Sequence, residues 1–410
     1  MATVAIELHA FNFHNIKMNN ESSKSLLHIL PTLDPRSGGV CQAAKSIIKG
    51  LEFTNWKHEV LCLDDPNATY LQLNDFTVHA LGHGKTPWNY NKNLISWFNQ
   101  NLKAFDAVIV HGLWQYQSYA VYKAWRHLAE PKPRLYVMPH GMLDPYFQKA
   151  PGRRLKAIRN ILFWKFVEKR LINSSDGILF TCEMEKKLAP QSFSNYKPDH
   201  EYIVGLGVEA PPVFNDLMLS SFLALCPAVA DKKYILFLSR INPKKGVDLL
   251  IEAWIKLKRT SIDLPLLIIA GPGLDTPFGQ AMLSAAADHP DILFPGMLTG
   301  DAKWGAFYGT ELFILPSHQE NFGIAILEAM ACQKPVLITD QVNIFKEISD
   351  NHSGIVFEAT EQGVYQGLTD WLTLTGDAQK EYSLHAKTTY ERVFSPGVAA
   401  KALLAVLDKI

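Results

Sequence analysis

Short apolar runs of strand length, each followed by a turn and a helix-length stretch, recur along this chain and restrict its fold more than any other feature. In the first half they fall at 26–30, 59–63, 107–110, 135–138, 177–180 and 202–204. A poorly periodic stretch holding Pro211, Pro212 and Pro227 interrupts them, and they resume at 234–238, 265–270, 292–294, 312–315, 336–338 and 354–357. Continuous apolar runs bounded by turns mark parallel strands covered on both faces. Their alternation with helices on each side of one linker predicts an α/β chain of two Rossmann-like, doubly wound domains. Ligands are expected where strand C-termini face the interdomain cleft. The expected divisions are an N-terminal extension at 1–25, a first domain at 26–206, a linker at 207–232, a second domain at 233–394 and a closing helix at 395–410.

Composition narrows the class. At 410 residues the chain is long enough for two or three domains with cores of their own. Its 40 basic residues balance 40 acidic ones, and 48% of it is hydrophobic. That excludes disorder and argues against a nucleic-acid partner held by bulk charge. Cys41, Cys62, Cys182, Cys226 and Cys332 form no CxxC pair, so neither a disulfide framework nor a structural zinc site is expected, and a reducing cytoplasm is. The first two dozen residues lack the basic start and apolar core of a secretory signal. No apolar run approaches the roughly 18 to 20 residues that cross a bilayer, so any membrane contact is expected to be peripheral.

Two glycine motifs mislead. Gly205-Leu-Gly207-Val-Glu-Ala210 fits a dinucleotide fingerprint, yet Pro211 and Pro212 follow and leave no helix start to receive a pyrophosphate. Gly84-Lys85-Thr86 resembles the end of a phosphate loop, but His79 stands where its first glycine is required. The chain has no HExxH, GxSxG or DxD. Any diphosphate is therefore expected to be neutralised by protein cations, not by a metal between aspartates.

Such cations follow the run 234–238, in Ser239-Arg240-Ile-Asn-Pro-Lys244-Lys245-Gly246. A forked guanidinium at Arg240 and a point ammonium at Lys245 can converge on one anion. Further on, 311–315 leads into Pro316-Ser-His-Gln-Glu320-Asn-Phe-Gly-Ile-Ala-Ile-Leu-Glu328. Asn321 is expected to cap a helix whose free amides, around Phe322, Gly323 and Ile324, suit phosphate oxygens. Glu320, before the helix, and Glu328, two turns inside it, stand roughly 10 to 12 Å apart, about the span from a sugar to a ribose across a diphosphate. Glu328 lies among apolar neighbours, where a carboxylate needs a partner.

Arg240-x4-Lys245 followed by Glu320-x7-Glu328 in a two-domain α/β chain resembles the retaining GT-B fold glycosyltransferases of the GT4 family, glycosyl transferases group 1. The resemblance extends over about 26–410 and includes Ser37-Gly38-Gly39, Gly271-Pro-Gly273 and Pro295-Gly296-Met297-Leu298. It implies that Arg240 and Lys245 neutralise the donor diphosphate, an electrostatic catalysis needing neither metal nor cofactor. It also implies that Glu320 orients the donor sugar, Glu328 binds the ribose, and backbone near Met297 and Leu298 meets the base. Gly38 and Gly39 let the first domain approach the phosphates. His140, in Pro139-His-Gly141, is expected at the reaction centre, with His111 second for an acceptor site. Retaining transfer in this family is drawn as front-face attack assisted by the departing phosphate, so no protein base is named. Where relatives carry a Gly-Gly-Ile-Pro-like segment this chain has Asp340-Gln-Val-Asn343, which leaves the sugar open.

One basic segment stands out. Residues 149–170 carry Lys149, Arg153, Arg154, Lys156, Arg159, Lys165, Lys169 and Arg170 against Glu168 alone. Leu155, Ile158, Ile161, Leu162, Phe166 and Val167 supply an apolar face. Either the segment docks peripherally on an anionic membrane beside a glycan or lipid-linked acceptor, or its apolar face joins the first-domain core. The function expected is transfer from a UDP- or GDP-sugar in polysaccharide or glycoconjugate assembly. A sugar-nucleotide epimerase and a non-catalytic nucleotide- or carbohydrate-binding protein are the alternatives.

Overall fold

The computed structural model describes residues 23–150, 152–260 and 264–409. The extension expected at 1–25 lies outside them but for its last residues. The first domain is built on β1 (Lys24–Ile29), β2 (Trp56–Cys62), β3 (Thr77–Ala80), β4 (Ala107–His111), β5 (Arg134–Met138), β6 (Gly177–Phe180) and β7 (Glu201–Ile203), in the spatial order β3-β2-β1-β4-β5-β6-β7. The second is built on β8 (Tyr234–Leu238), β9 (Leu266–Ala270), β10 (Ile292–Gly296), β11 (Leu312–Leu315), β12 (Val336–Thr339) and β13 (Gly354–Phe357), in the order β10-β9-β8-β11-β12-β13. Every recorded pairing within the two sheets is parallel. The central strands are buried on both faces, which is why they read as unbroken apolar runs. The edge strand β3 is half exposed and alternates Thr-Val-His-Ala, so it lacks that signature.

Strand order reverses between β1 and β4 in the first sheet and between β8 and β11 in the second. Crevices open at such switch points, outside the strand C-termini. The chain thus delivers the segments after β1, β4, β8 and β11 to the same region.

The structure differs from the sequence reading at 207–232. Within that stretch the helix Asp216–Leu225, capped by Asn215 Oδ1 on Met218 N, belongs to the second domain. Phe222 is fully buried in its core beside Tyr234, and a Cβ on Gly305 would meet Met218 O at 2.0 Å. The apolar positions of this helix are too irregular for periodicity to reveal it.

The last helix, Pro396–Leu407, lies against the first-domain helix Gly39–Gly50: the ideal Cβ of Gly50 falls 3.4 Å from Ala400 Cβ. Gly207 belongs to this crossing. A Cβ there would stand 2.4 Å from Pro396 Cα, so only glycine admits the returning chain. Close packing accounts for the glycine that imitated a nucleotide fingerprint. Tyr390 Oη donates to Val208 O at 2.8 Å, and Val208 N donates to Phe394 O at 2.9 Å.

Candidate active site

On the second domain the site is made of paired charges. After β8 the loop turns at Asn242, whose Oδ1 accepts from Lys244 N, and closes at Gly246 with φ +66°. A Cβ on Gly246 would lie 2.0 Å from Pro316 O, so this glycine lets the loop press against the segment after β11. His318 N donates to Lys244 O at 2.9 Å, and the Lys245 ammonium reaches the Glu320 carboxylate as a buried ion pair. Burial alone would raise the Glu320 carboxyl, but Lys245, Lys244 and Arg240 hold it below its ordinary value. Arg240 is exposed at the rim of the group. Lys244 is pushed down to about 8 by burial, with Lys245 and Arg240 adding to the shift and Glu320 opposing it.

Glu328, in the helix Ile324–Ala331, finds the partner that its apolar surroundings require. Lys303 Nζ, on the helix Gly300–Gly309, donates to its Oε1 at 2.6 Å. Burial still leaves the Glu328 carboxyl raised despite Lys303. Lys303 is not marked in the sequence, because an ion pair between two helices has no sequence spacing.

Asn321 differs from its expected role. Gly323 is the N-cap of the helix, with φ +72° and no side-chain cap. The Asn321 amide instead donates to Thr181 Oγ1 of the first domain at 3.1 Å and accepts from Asn343 Nδ2 at 3.1 Å. Phe322 is buried, edge-on to Phe394, so only its backbone is available for phosphate. Met297 is exposed and Leu298 buried after β10. Glu320 N donates to Gln341 O and Asn343 N to Glu320 O, so the segment 340–343 lies directly beside Glu320.

The first domain brings neutral groups to the cleft. Parallel register places Leu26 opposite His58 and His28 opposite Ile109, while His111 lies opposite Met138, two residues before His140. Side chains two apart share a face, so each step to the next strand advances one histidine toward the cleft. His58 Nδ1 contacts His28 Nε2 at 3.1 Å, His28 Nδ1 contacts His111 Nε2 at 2.9 Å, and His111 Nδ1 contacts His140 Nε2 at 3.0 Å. Burial lowers His28 and His111 well below the usual imidazole value, and lowers His58 and His140 to about 4. Sequence reasoning missed His28, whose only mark is a polar residue inside an apolar strand, and His58, which is hidden between Lys57 and Glu59. Gly38, with φ +95°, and Gly39 open the helix Gly39–Gly50, and a Cβ on either would meet nothing within 4 Å.

Three contacts tie the two faces together. Gln319 Nε2 donates to the buried Asp144 Oδ2 at 2.9 Å, the Lys244 ammonium stands 5.1 Å from the Phe147 ring centre, and Asn321 holds Thr181. Thr181 Oγ1 in turn donates to Glu185, which also accepts from Gly141 N and so fixes the turn carrying His140. Burial raises the Glu185 carboxyl, and these hydrogen bonds oppose the shift. Among the described residues no cluster of three His, Cys, Asp or Glu side chains is arranged to hold a metal.

The basic segment forms the helix Arg154–Phe163, a wider turn at Trp164–Glu168 and the helix Lys169–Ser174. Its inner side is Ala157, Asn160, Trp164 and Glu168, all buried. Leu155, Ile158, Ile161, Leu162 and Phe166 are more than half exposed, so this apolar face does not join the core. No described helix is long and apolar enough to cross a membrane.

Two doubly wound sheets meeting at their switch points, with charge pairs on one side and a turn held by buried hydrogen bonds on the other, define the GT-B fold. The fold is shared over nearly the whole chain with a glycosyltransferase from Rickettsia africae, at TM-score 0.75 and 18% identity over 95% of this chain and 99% of that one. It is shared as well with Anabaena HepE in complex with UDP and glucose, at TM-score 0.71 and 14% identity over 94% and 99%. Residues 227–388, within the second domain, match glycosyl transferases group 1. A D-inositol 3-phosphate glycosyltransferase of Arthrobacter sp. (strain FB24) is 26% identical over 238 residues, 54% of this chain and 53% of that protein. The alpha-D-kanosaminyltransferase of Streptomyces kanamyceticus is 32% identical over 126 residues, 31% and 32% of the two chains. The chain therefore spans only about half, or less, of these relatives.

Proposed function

We propose that this chain is a retaining glycosyltransferase that moves a sugar from a nucleotide diphosphate sugar, UDP or GDP, to a glycan or lipid-linked acceptor. The observation that carries the reading is the buried Lys245–Glu320 pair with Arg240 exposed beside it, at the switch point of the family-matched domain. In this reading Arg240 and Lys245 stabilise charge developing on the departing diphosphate, without metal or cofactor. Glu320, kept ionised by its cations, accepts hydrogen bonds from the transferred sugar, and Glu328 accepts from the ribose. The amides of Gly323 and Ile324 hold phosphate oxygens, and Gly38 and Gly39 let the first domain approach them. Backbone at Met297 and Leu298 borders the base, and His140 borders the transferred sugar. The UDP bound by Anabaena HepE and the transferase names of the relatives support this donor class.

For the acceptor, the exposed apolar side chains of 155–166 among Arg153, Arg154, Lys156, Arg159 and Lys165 favour one carried on an anionic lipid surface, with cytoplasmic-face docking. Sedimentation with anionic vesicles tests this: binding that survives Arg153, Arg154 and Arg159 all changed to Gln removes the docking role.

A nucleotide-release screen against UDP-, GDP-, ADP- and TDP-sugars, with chelator and with Glu328→Ala alongside, tests the function. Release from one donor, lost in the variant and insensitive to chelator, is the expected result, with the anomeric configuration of the product kept. Metal-dependent release, an inverted product or acceptor-free epimerisation would overturn it. Nucleotide binding without turnover on any supplied acceptor would favour a binding protein.

A further inference from the structure

Four neutral imidazoles in series carry four N–H protons, and the three contacts joining His58, His28, His111 and His140 each take one. A neutral ring that donates at one nitrogen has only a lone pair at the other, so all the contacts must run in one direction. The remaining proton sits at one end, on His58 Nε2 or on His140 Nδ1. The two ends differ. His58 Nε2 is buried with no hydrogen-bond partner, and an N–H there would be orphaned. His140 is only partly buried, on a turn so near the second domain that a Cβ on Gly141 would lie 2.6 Å from Asn321 Cβ. An orphaned buried donor is rare and costly, whereas a donor at the cleft meets water or a bound sugar. Glu59, next to His58, is engaged with His79 at 2.6 Å and leaves the series without a carboxylate to reverse it.

We infer that this series holds His140 as a neutral Nδ1–H donor at the cleft, with His111, His28 and His58 as positioning residues that each carry their proton on Nδ1. The inference rests on the proposed transferase reading for its consequence: His140 donates a hydrogen bond to an oxygen of the bound sugar. It takes no proton from the acceptor, because its Nε2 already accepts from His111 and its Nδ1 is occupied. That assignment agrees with a mechanism in which the departing phosphate receives the acceptor proton.

Nitrogen-detected NMR of the histidine side chains tests the inference in the full chain at neutral pH. The expected spectrum has four neutral rings with the proton on Nδ1. His111→Phe keeps a stacked ring but removes the donor to His140 Nε2, so His140 relaxes to a mixture of tautomers and sugar transfer slows about ten-fold. His58→Leu leaves His28 Nε2 as the buried, partnerless end, and the His140 tautomer is retained. A proton on His140 Nε2 or an imidazolium in the wild-type series would overturn the inference. So would a His111→Phe protein whose His140 keeps a single Nδ1–H form. If the wild-type chain turned over no nucleotide sugar, the functional reading would fail while the tautomers still decided this one.

Discussion

The two walls of the cleft handle buried titratable groups in opposite ways. The second domain pairs its charges, Lys245 with Glu320, whose carboxyl stays below its ordinary value, and Lys303 with Glu328. The first domain favours the neutral form, with four imidazoles held uncharged and the Glu168 carboxyl raised to about 8 by burial. In the proposed reading the charged wall meets the diphosphate, where fixed charge acts strongly in a dry site. In the same reading the neutral wall meets the sugar, for which neutral rings supply directional hydrogen bonds without attracting counter-ions.

Lys245→Ala strikes the charged wall hardest. Transfer should fall about 10²- to 10³-fold, and removing one partner of a buried pair should cost about 3 to 5 kcal/mol of stability. Turnover near wild type in a folded variant would mean that the pair is structural only.

Glu168→Gln is the matching change in the interior of the first domain, and it should stabilise. Glu168 is fully buried, accepts from Trp114 N at 2.7 Å through Oε1, and has no partner on Oε2. Its folded value of about 8 lies above the ordinary 4.5, so the folded chain keeps a proton that the unfolded chain releases. Stability is therefore full below 4.5 and falls as pH rises through about 8. The glutamine variant escapes that loss, and urea unfolding should show it more stable by up to about 5 kcal/mol at alkaline pH and level with wild type in acid. An equal gain at both ends of the pH range would assign the effect to packing instead.

His140→Ala should lower transfer about ten-fold, the value of one hydrogen bond, with little change in salt dependence. A change in salt dependence as large as that of Lys245→Ala would erase the distinction between the walls. The smallest expected effect is a pH dependence of nucleotide affinity. Lys244 is cationic below its value of about 8, so affinity should decline as pH rises through that range, and Lys244→Met should flatten the curve. A flat wild-type titration would place Lys244 away from the bound phosphates.

The charged wall was the more legible in the sequence. Arg240, Lys244 and Lys245 lie within one loop, and Glu320 and Glu328 lie on either side of one helix start, so local spacing carries their relation. Lys303 lay beyond that reach, and so did the contact of Asn321 with Thr181, which draws Asn321 away from the capping role its position implied. The neutral wall was nearly silent. His111 and His140 stand out after apolar runs, but His28 and His58 acquire meaning only when β2, β1, β4 and β5 come into register.

By itself the sequence determined the two doubly wound domains, because buried parallel strands and their covering helices differ in period and length wherever they occur. It also determined the cations and carboxylates that a short loop or a single helix holds in place. The tertiary structure alone decided which carboxylate each lysine meets, that the apolar side chains of 155–166 face outward, and that four separate histidines form one series. Those outcomes depend on strand register and helix packing between segments far apart in the chain, and no local periodicity encodes such pairings.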